Sequence, residues 1–155
     1  MWKAQIEKLS ENYFCVSYDI RGSGESPVGD GQYTMESFVD DLEAIIDQLK
    51  LDKPILCGLS MGGYIGLRAL ERFEEKFSAV VLCDTRADAD GNEGKSKRAA
   101  AIKRINTEGL APFVKDFITN CFGDGYKQTN PEELEKIIAK SSSFNLVGVK
   151  GCLLA

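Results

Sequence analysis

Residues 1–84 alternate helix-like and strand-like stretches, and that alternation restricts the fold more than any other feature of the chain. Trp2, Ile6 and Leu9 fall at i, i+4 and i+7, the spacing of a short amphipathic helix. Tyr13–Tyr18 (YFCVSY) is rich in aromatic and β-favouring residues and reads as a strand. The glycines and proline of Asp19–Pro27 make a loop. Met35, Phe38, Val39, Leu42, Ile45, Ile46 and Leu49 then recur at three- and four-residue steps behind Thr34, a good N-cap. Pro54 opens a short apolar strand, Ile55–Cys57, and a helix follows from about Met61 to Arg72. Ser78–Cys83 (SAVVLC) is a continuous apolar run, which suits a strand covered on both faces. The order α-β-α-β-α-β predicts a parallel α/β sheet of three strands.

Beyond Asp84 the strand-like runs stop. Lys95–Asn106 is helix-like, with Ile102 and Ile105 as its apolar marks. Leu110, Phe113, Val114, Phe117, Ile118 and Cys121 give a firmer helix, which Gly123-Asp124-Gly125 is expected to break. Asn130-Pro131-Glu132-Glu133 combines an N-cap, Pro at N1 and a box-like Glu at N3, and starts a helix to about Lys140. The expected division is a sheet-bearing core over residues 1–84 and a helical cap over residues 85–155.

The strand-to-helix junction carries a motif. In ILCGLSMGGYIGL, Ile55–Leu67, the residues Gly58-Leu59-Ser60-Met61-Gly62 read G-x-S-x-G. A strand that enters a helix through a very tight turn holds the serine hydroxyl out at an exposed point, as a nucleophile requires. Small residues are needed beside it because strand and helix backbones come close; Gly58 and Gly62 meet that need, and Gly63 relaxes it further. The Met61 N–H then points to where an acyl oxygen would become negative, reinforced by the helix N-terminus. Two rival motifs fail. A phosphate-binding loop needs Lys after its last glycine, where this chain has Tyr64. A dinucleotide turn needs glycine where Ser60 stands, and Gly22-Ser23-Gly24 runs into Pro27 and a loop.

Composition narrows the partners. The 155 residues suit one domain and are 43% hydrophobic, enough for a core. A net charge of −5 without a Lys/Arg cluster argues against nucleic acid and anionic membrane surfaces as partners. No basic-then-apolar start or long apolar run suggests a secretory signal or a membrane span. Cys15, Cys57 and Cys83 lie in apolar runs and, with Cys121 and Cys152, read as buried free thiols of a cytoplasmic protein. The chain has no histidine, which rules out a Cys/His zinc site, and no metal or cofactor is implied. It also leaves Ser60 without the usual base.

YDIRGSGES (Tyr18–Ser26), CGLSMGGYIGL (Cys57–Leu67) and VVLCDTRAD (Val80–Asp88) together resemble the α/β-hydrolase superfamily, and within it the small ester and lactone hydrolases that include 3-oxoadipate enol-lactonases. The resemblance implies a partial α/β-hydrolase sheet with a helical lid. It implies acyl transfer from a small ester or lactone to water, with Ser60 as nucleophile and Met61 as an oxyanion donor. Such enzymes carry further strands and an oxyanion loop before this region, and the acid and histidine after it. The chain therefore looks like a central fragment, inactive alone, whose base lies elsewhere. In the family's sheet a strand stands between the equivalents of Tyr13–Tyr18 and Ile55–Cys57. Three outcomes follow: a complementary chain or a homo-oligomer completes the sheet, the two strands close up, or the chain is a piece of a larger fold.

Other residues carry alternatives. Asp84 follows a strand end, where some members of the family place the acid, but a structural cap of the turn is the favoured reading. Asp19 and Arg21 read as loop-fixing residues. Phe113, Phe117 and Phe122 could line a pocket, though helical spacing favours packing of the lid onto the sheet. The competing function is a non-catalytic binding or assembly module whose sheet edges recruit a partner. Within the family, a cofactor-free haloperoxidase or a carbon–carbon bond hydrolase fits the same residues.

Overall fold

The computed structural model describes residues 1–155 as eight helices and two strands. In chain order these are α1 (Lys3–Leu9), α2 (Met35–Gln48), β1 (Ile55–Leu59), α3 (Met61–Phe73), β2 (Ala79–Cys83), α4 (Asn92–Glu108), α5 (Leu110–Asn120), α6 (Asp124–Thr129), α7 (Pro131–Ser142) and α8 (Leu146–Leu154). One 3-10 turn, Glu74–Lys76, lies between α3 and β2. β1 and β2 pair in parallel, with Ile55 opposite Ala79 and Leu59 opposite Cys83. The α/β class is as expected.

The strand expected at Tyr13–Tyr18 is not formed. The sheet has two strands, and the backbone of residues 14–18 makes no hydrogen bond to any other backbone group. β propensity gave this segment an extended shape, but a strand exists only through a neighbouring ladder. The two candidate neighbours have not closed up. Phe14 is consequently 83% exposed, and Tyr13 and Val16 are exposed with it.

α2 organises the core. Thr34 caps it by accepting the Ser37 N–H at 3.1 Å. The buried face presents Phe38, Val39, Leu42 and Ile46, which pack with Tyr33, with Ile65, Ala69 and Phe73 of α3, and with Phe77. Beside this apolar contact runs a ladder of charges: Arg68 to Glu36 at 2.6 Å, Arg72 to Asp40 at 2.7 Å and Lys76 to Glu43 at 2.8 Å. Each such surface pair contributes little alone. Together they favour one register of α2 on α3.

α3 covers one face of the sheet, where Leu56 and Val80 meet Gly66. Ile55, Cys57 and Val81 project the other way and are exposed. The continuous apolar run of β2 is expected to be covered on both faces, but α3 covers one face only, and there Val80 is half-buried while Leu82 stays exposed. For the same reason Cys57 is exposed and Cys83 half-buried, although both thiols are free as expected.

The helices after β2 pack largely on one another, α4 with α5 and α8 and α5 with α7. Ile105, Val114 and Leu134 are their buried residues. Pro131 takes the first position of α7 as expected, but the Asn130 side chain does not cap it. Asn130 instead donates to the Thr129 hydroxyl at 2.8 Å. α5 ends at Asn120, and of the expected break only Gly123 lies between helices, since Asp124 and Gly125 open α6. α8, which has almost no amphipathic periodicity, returns to the core. Gly148 lies against Gly22 and Gly151 against the Tyr33 ring.

Phe38 is 1% exposed at the centre of this core. Phe38→Ala should lower the unfolding free energy by about 3–5 kcal/mol, read from a urea denaturation midpoint at unchanged slope.

Candidate active site

Ser60 lies between the last residue of β1 and the first of α3 with φ 50° and ψ −113°. Positive φ is uncommon for a residue with a side chain and costs about 1–3 kcal/mol unless its surroundings hold it. A serine in the N-cap position usually turns its hydroxyl back onto the helix N–H groups. Here it makes no such bond, and the residue is exposed. The hydroxyl is thus free at the head of α3. The N–H groups of Met61 and Gly62 lead that helix, where no preceding turn exists to accept them.

Several contacts hold this turn. The Ser60 N–H donates to the Cys83 carbonyl at 2.9 Å. The Ser60 carbonyl accepts from Gly63 N–H at 2.8 Å, Tyr64 N–H at 3.3 Å and the Thr85 hydroxyl at 2.8 Å. The glycines divide differently from the sequence expectation. A Cβ on Gly58 would strike the Gly62 carbonyl group and lie 2.7 Å from Gly63 N, and one on Gly63 would strike the Thr85 side chain. A Cβ on Gly62 would meet nothing within 4 Å. The crowded positions are therefore 58, where the first turn of α3 crosses the end of β1, and 63, where the Thr85 side chain lies against that turn. The motif glycine at 62 faces open space.

Asp84, exposed and with φ 41°, makes the bend that carries the chain off β2. Its carboxylate forms none of the capping bonds expected of it; the neighbouring Thr85 makes the bond to the turn instead. Cys121, at the end of α5, is close enough that burial and then the Asp84 charge push its thiol pKa up. Farther along, Asp90 accepts from both Arg98 and Arg86. Arg98, then Arg86, holds its carboxyl below the usual carboxylate range.

Asp19 and Arg21 fix their loop as expected. Arg21 donates two bonds of 2.7 Å to the Asp41 carboxylate and others to the Gln32 and Ser37 carbonyls. Asp19 accepts the Glu25 N–H at 3.3 Å. The aromatic residues of the cap stack among themselves, Phe113 on Phe117 and Phe122 on Tyr126, and Phe117 is 56% exposed. Two clefts of about 480 and 460 Å³ flank the unpaired segment around Tyr18, and neither touches Ser60. No group of three metal-ligating side chains is present.

A family model described as the alpha/beta hydrolase fold matches residues 1–113. The chain is 30% identical over 152 residues to 3-oxoadipate enol-lactonase 2 of Acinetobacter baylyi, covering 98% of this chain and 56% of that protein. A thermophilic esterase from Thermogutta terrifontis superposes with a TM-score of 0.90 at 35% identity, covering 99% of this chain and 57% of that one. The enol-lactonase from Burkholderia xenovorans LB400 superposes with a TM-score of 0.87 at 29% identity, covering 98% and 57%. The chain spans little more than half the length of these relatives.

The glycine contacts give a direct check. Gly58→Ala and Gly63→Ala should each destabilise by about 1–3 kcal/mol, since the new methyl meets packed atoms. Gly62→Ala should be neutral or stabilising by up to about 1 kcal/mol, as expected for alanine in an open helical position. Thermal melts of the three variants measure the difference.

Proposed function

The chain belongs to the α/β-hydrolase family, and on that premise we propose that it carries the nucleophile of a serine hydrolase acting on a small ester or lactone. The observation that carries the proposal is Ser60 itself: a strained non-glycine residue, held by its neighbours, with an exposed hydroxyl that does not cap its own helix. A strained backbone with an unused polar group is a costly arrangement, and such outliers concentrate at functional sites. The names of the enol-lactonase and esterase relatives support the substrate class.

In this reading Ser60 Oγ attacks the substrate carbonyl carbon, and its proton passes to a base. The Met61 N–H stabilises the oxygen that becomes negative. Collapse of the tetrahedral intermediate expels the alcohol, which takes up that proton, and water then hydrolyses the acyl-serine. With no histidine among the 155 residues, the base, its acid and a second oxyanion donor come from polypeptide outside them. The helices from Asn92 to Leu154 act as the cap over the substrate, and no cofactor takes part.

A second reading has its own observation. The unpaired backbone of residues 14–18 and the exposed sheet face at Ile55 and Val81 suit an assembly surface that a complementary chain or another copy of this one would cover. Net charge and composition favour neither nucleic acid nor membranes as partners, and no helix is long and apolar enough to cross a membrane. Five free thiols suit a reducing cytoplasm.

The 155-residue chain alone should react with a fluorophosphonate probe at Ser60 only at a rate near that of an ordinary serine. Fast, stoichiometric labelling would contradict the need for an external base. Expressed together with the polypeptide encoded on either side of it, the chain should hydrolyse p-nitrophenyl acetate. Ser60→Ala should then lower kcat by about 10⁴–10⁶-fold. Tight association without turnover would favour the assembly reading.

A further inference from the structure

Two bonds at the strained turn link it to another part of the chain. Of the three donors to the Ser60 carbonyl, Gly63 N–H and Tyr64 N–H belong to α3 and move with it. The third, the Thr85 hydroxyl at 2.8 Å, comes from the segment leaving β2. The Ser60 N–H is pinned to the same segment by the Cys83 carbonyl at 2.9 Å. The two peptide planes flanking Ser60 are thus both tied to residues 83–85, and φ and ψ at Ser60 are the rotations of those planes about its N–Cα and Cα–C bonds. The bend at Asp84, φ 41°, is what lets the residues on either side of it face one serine. The fit is close: any side chain at Gly63 would collide with the Thr85 Oγ1, Cγ2 and Cβ atoms.

The Ser60 carbonyl and the Met61 N–H are opposite ends of one planar trans peptide. Whatever fixes the direction of that carbonyl fixes the direction of that N–H. A donor on the carbonyl also polarises the peptide and strengthens the N–H as a donor in turn. We propose that Thr85 is a positioning residue: its hydroxyl holds the Ser60–Met61 peptide against the sheet, so that the Met61 N–H keeps its aim at the acyl oxygen beside the Ser60 hydroxyl. This rests on the reading of Ser60 and Met61 given above, and adds that the aim is set from β2 through a side chain. Sequence inspection misses Thr85, since nothing in DTRAD singles out its hydroxyl.

The test uses the 155-residue chain and nuclear magnetic resonance, so it does not depend on turnover. Thr85→Val keeps the shape of the side chain and removes the donor, whereas Thr85→Ser keeps the donor. In Thr85→Val the Met61 amide resonance should move, and the Ser60 and Gly63 N–H groups should exchange with solvent about fivefold faster, as for loss of one hydrogen bond. The Val39 and Ala69 amides in the core should exchange as before. Thr85→Ser should restore the wild-type resonance and rates. Thr85→Ala removes the same donor with less bulk and should show the same Met61 shift and exchange rates, so the test stands even where the valine side chain does not fit. An unmoved Met61 resonance in both donor-free variants would overturn the proposal. So would a serine variant that behaves like valine, or acceleration spread evenly over every amide. A failure of Ser60 to act as a nucleophile would appear in the labelling and hydrolysis measurements and leave these spectra as they are.

Discussion

Two hydrogen bonds across the end of the sheet, from the Ser60 N–H to the Cys83 carbonyl and from the Thr85 hydroxyl to the Ser60 carbonyl, hold a backbone conformation that serine would not otherwise keep. The strain is about 1–3 kcal/mol. A net hydrogen bond contributes about 0.5–1.5 kcal/mol, so two are of the same order as the strain they oppose. The balance requires the strand and helix to lie close together, and that closeness requires glycine at 58 and 63. The exposed hydroxyl, the unoccupied N–H groups at the head of α3 and the narrow turn are therefore one feature seen from three sides.

α2 supports that feature from behind. It buries its apolar stripe on α3 and sets α3's orientation with a row of carboxylates facing arginine and lysine. Arg21 fastens the preceding loop to α2 through Asp41. The same helix lines one of the clefts beside the unpaired segment at Val16 and Tyr18. One half of the site is thus rigidly supported, while the ground beside it is open. Only 19 of 155 residues are buried, and the remaining apolar surface includes a whole face of β1 and β2.

The sequence disclosed what local physics decides. Periodicity located α2, α3, α5 and α7, and the G-x-S-x-G spacing located the turn at Ser60. It was less informative where a neighbour decides. Tyr13–Tyr18 has the composition of a strand but lacks the ladder that makes one, and SAVVLC has the composition of a doubly covered strand but is covered once. Gly62 belongs to the motif, yet Gly63 carries the steric demand, because the approach of Thr85 from beyond β2 cannot be read from spacing. Asp84 attracts attention as a carboxylate at a strand end, whereas the residue that touches the turn is Thr85. α8 escaped notice because it is apolar all round and has no amphipathic rhythm.

The notch made by Gly148 and Gly151 has a consequence for how this polypeptide reaches its native state. Tyr33 belongs to the core built on α2, yet its ring is sealed by Gly151, which lies far later in the sequence. α2 and α3 can associate through contacts close in sequence, while the docking of α8 must await synthesis of Leu146–Leu154. Long-range closures of this kind slow folding. Until α8 docks, the nascent chain presents an aromatic ring and a groove at Gly22 to whatever chaperone surfaces it meets.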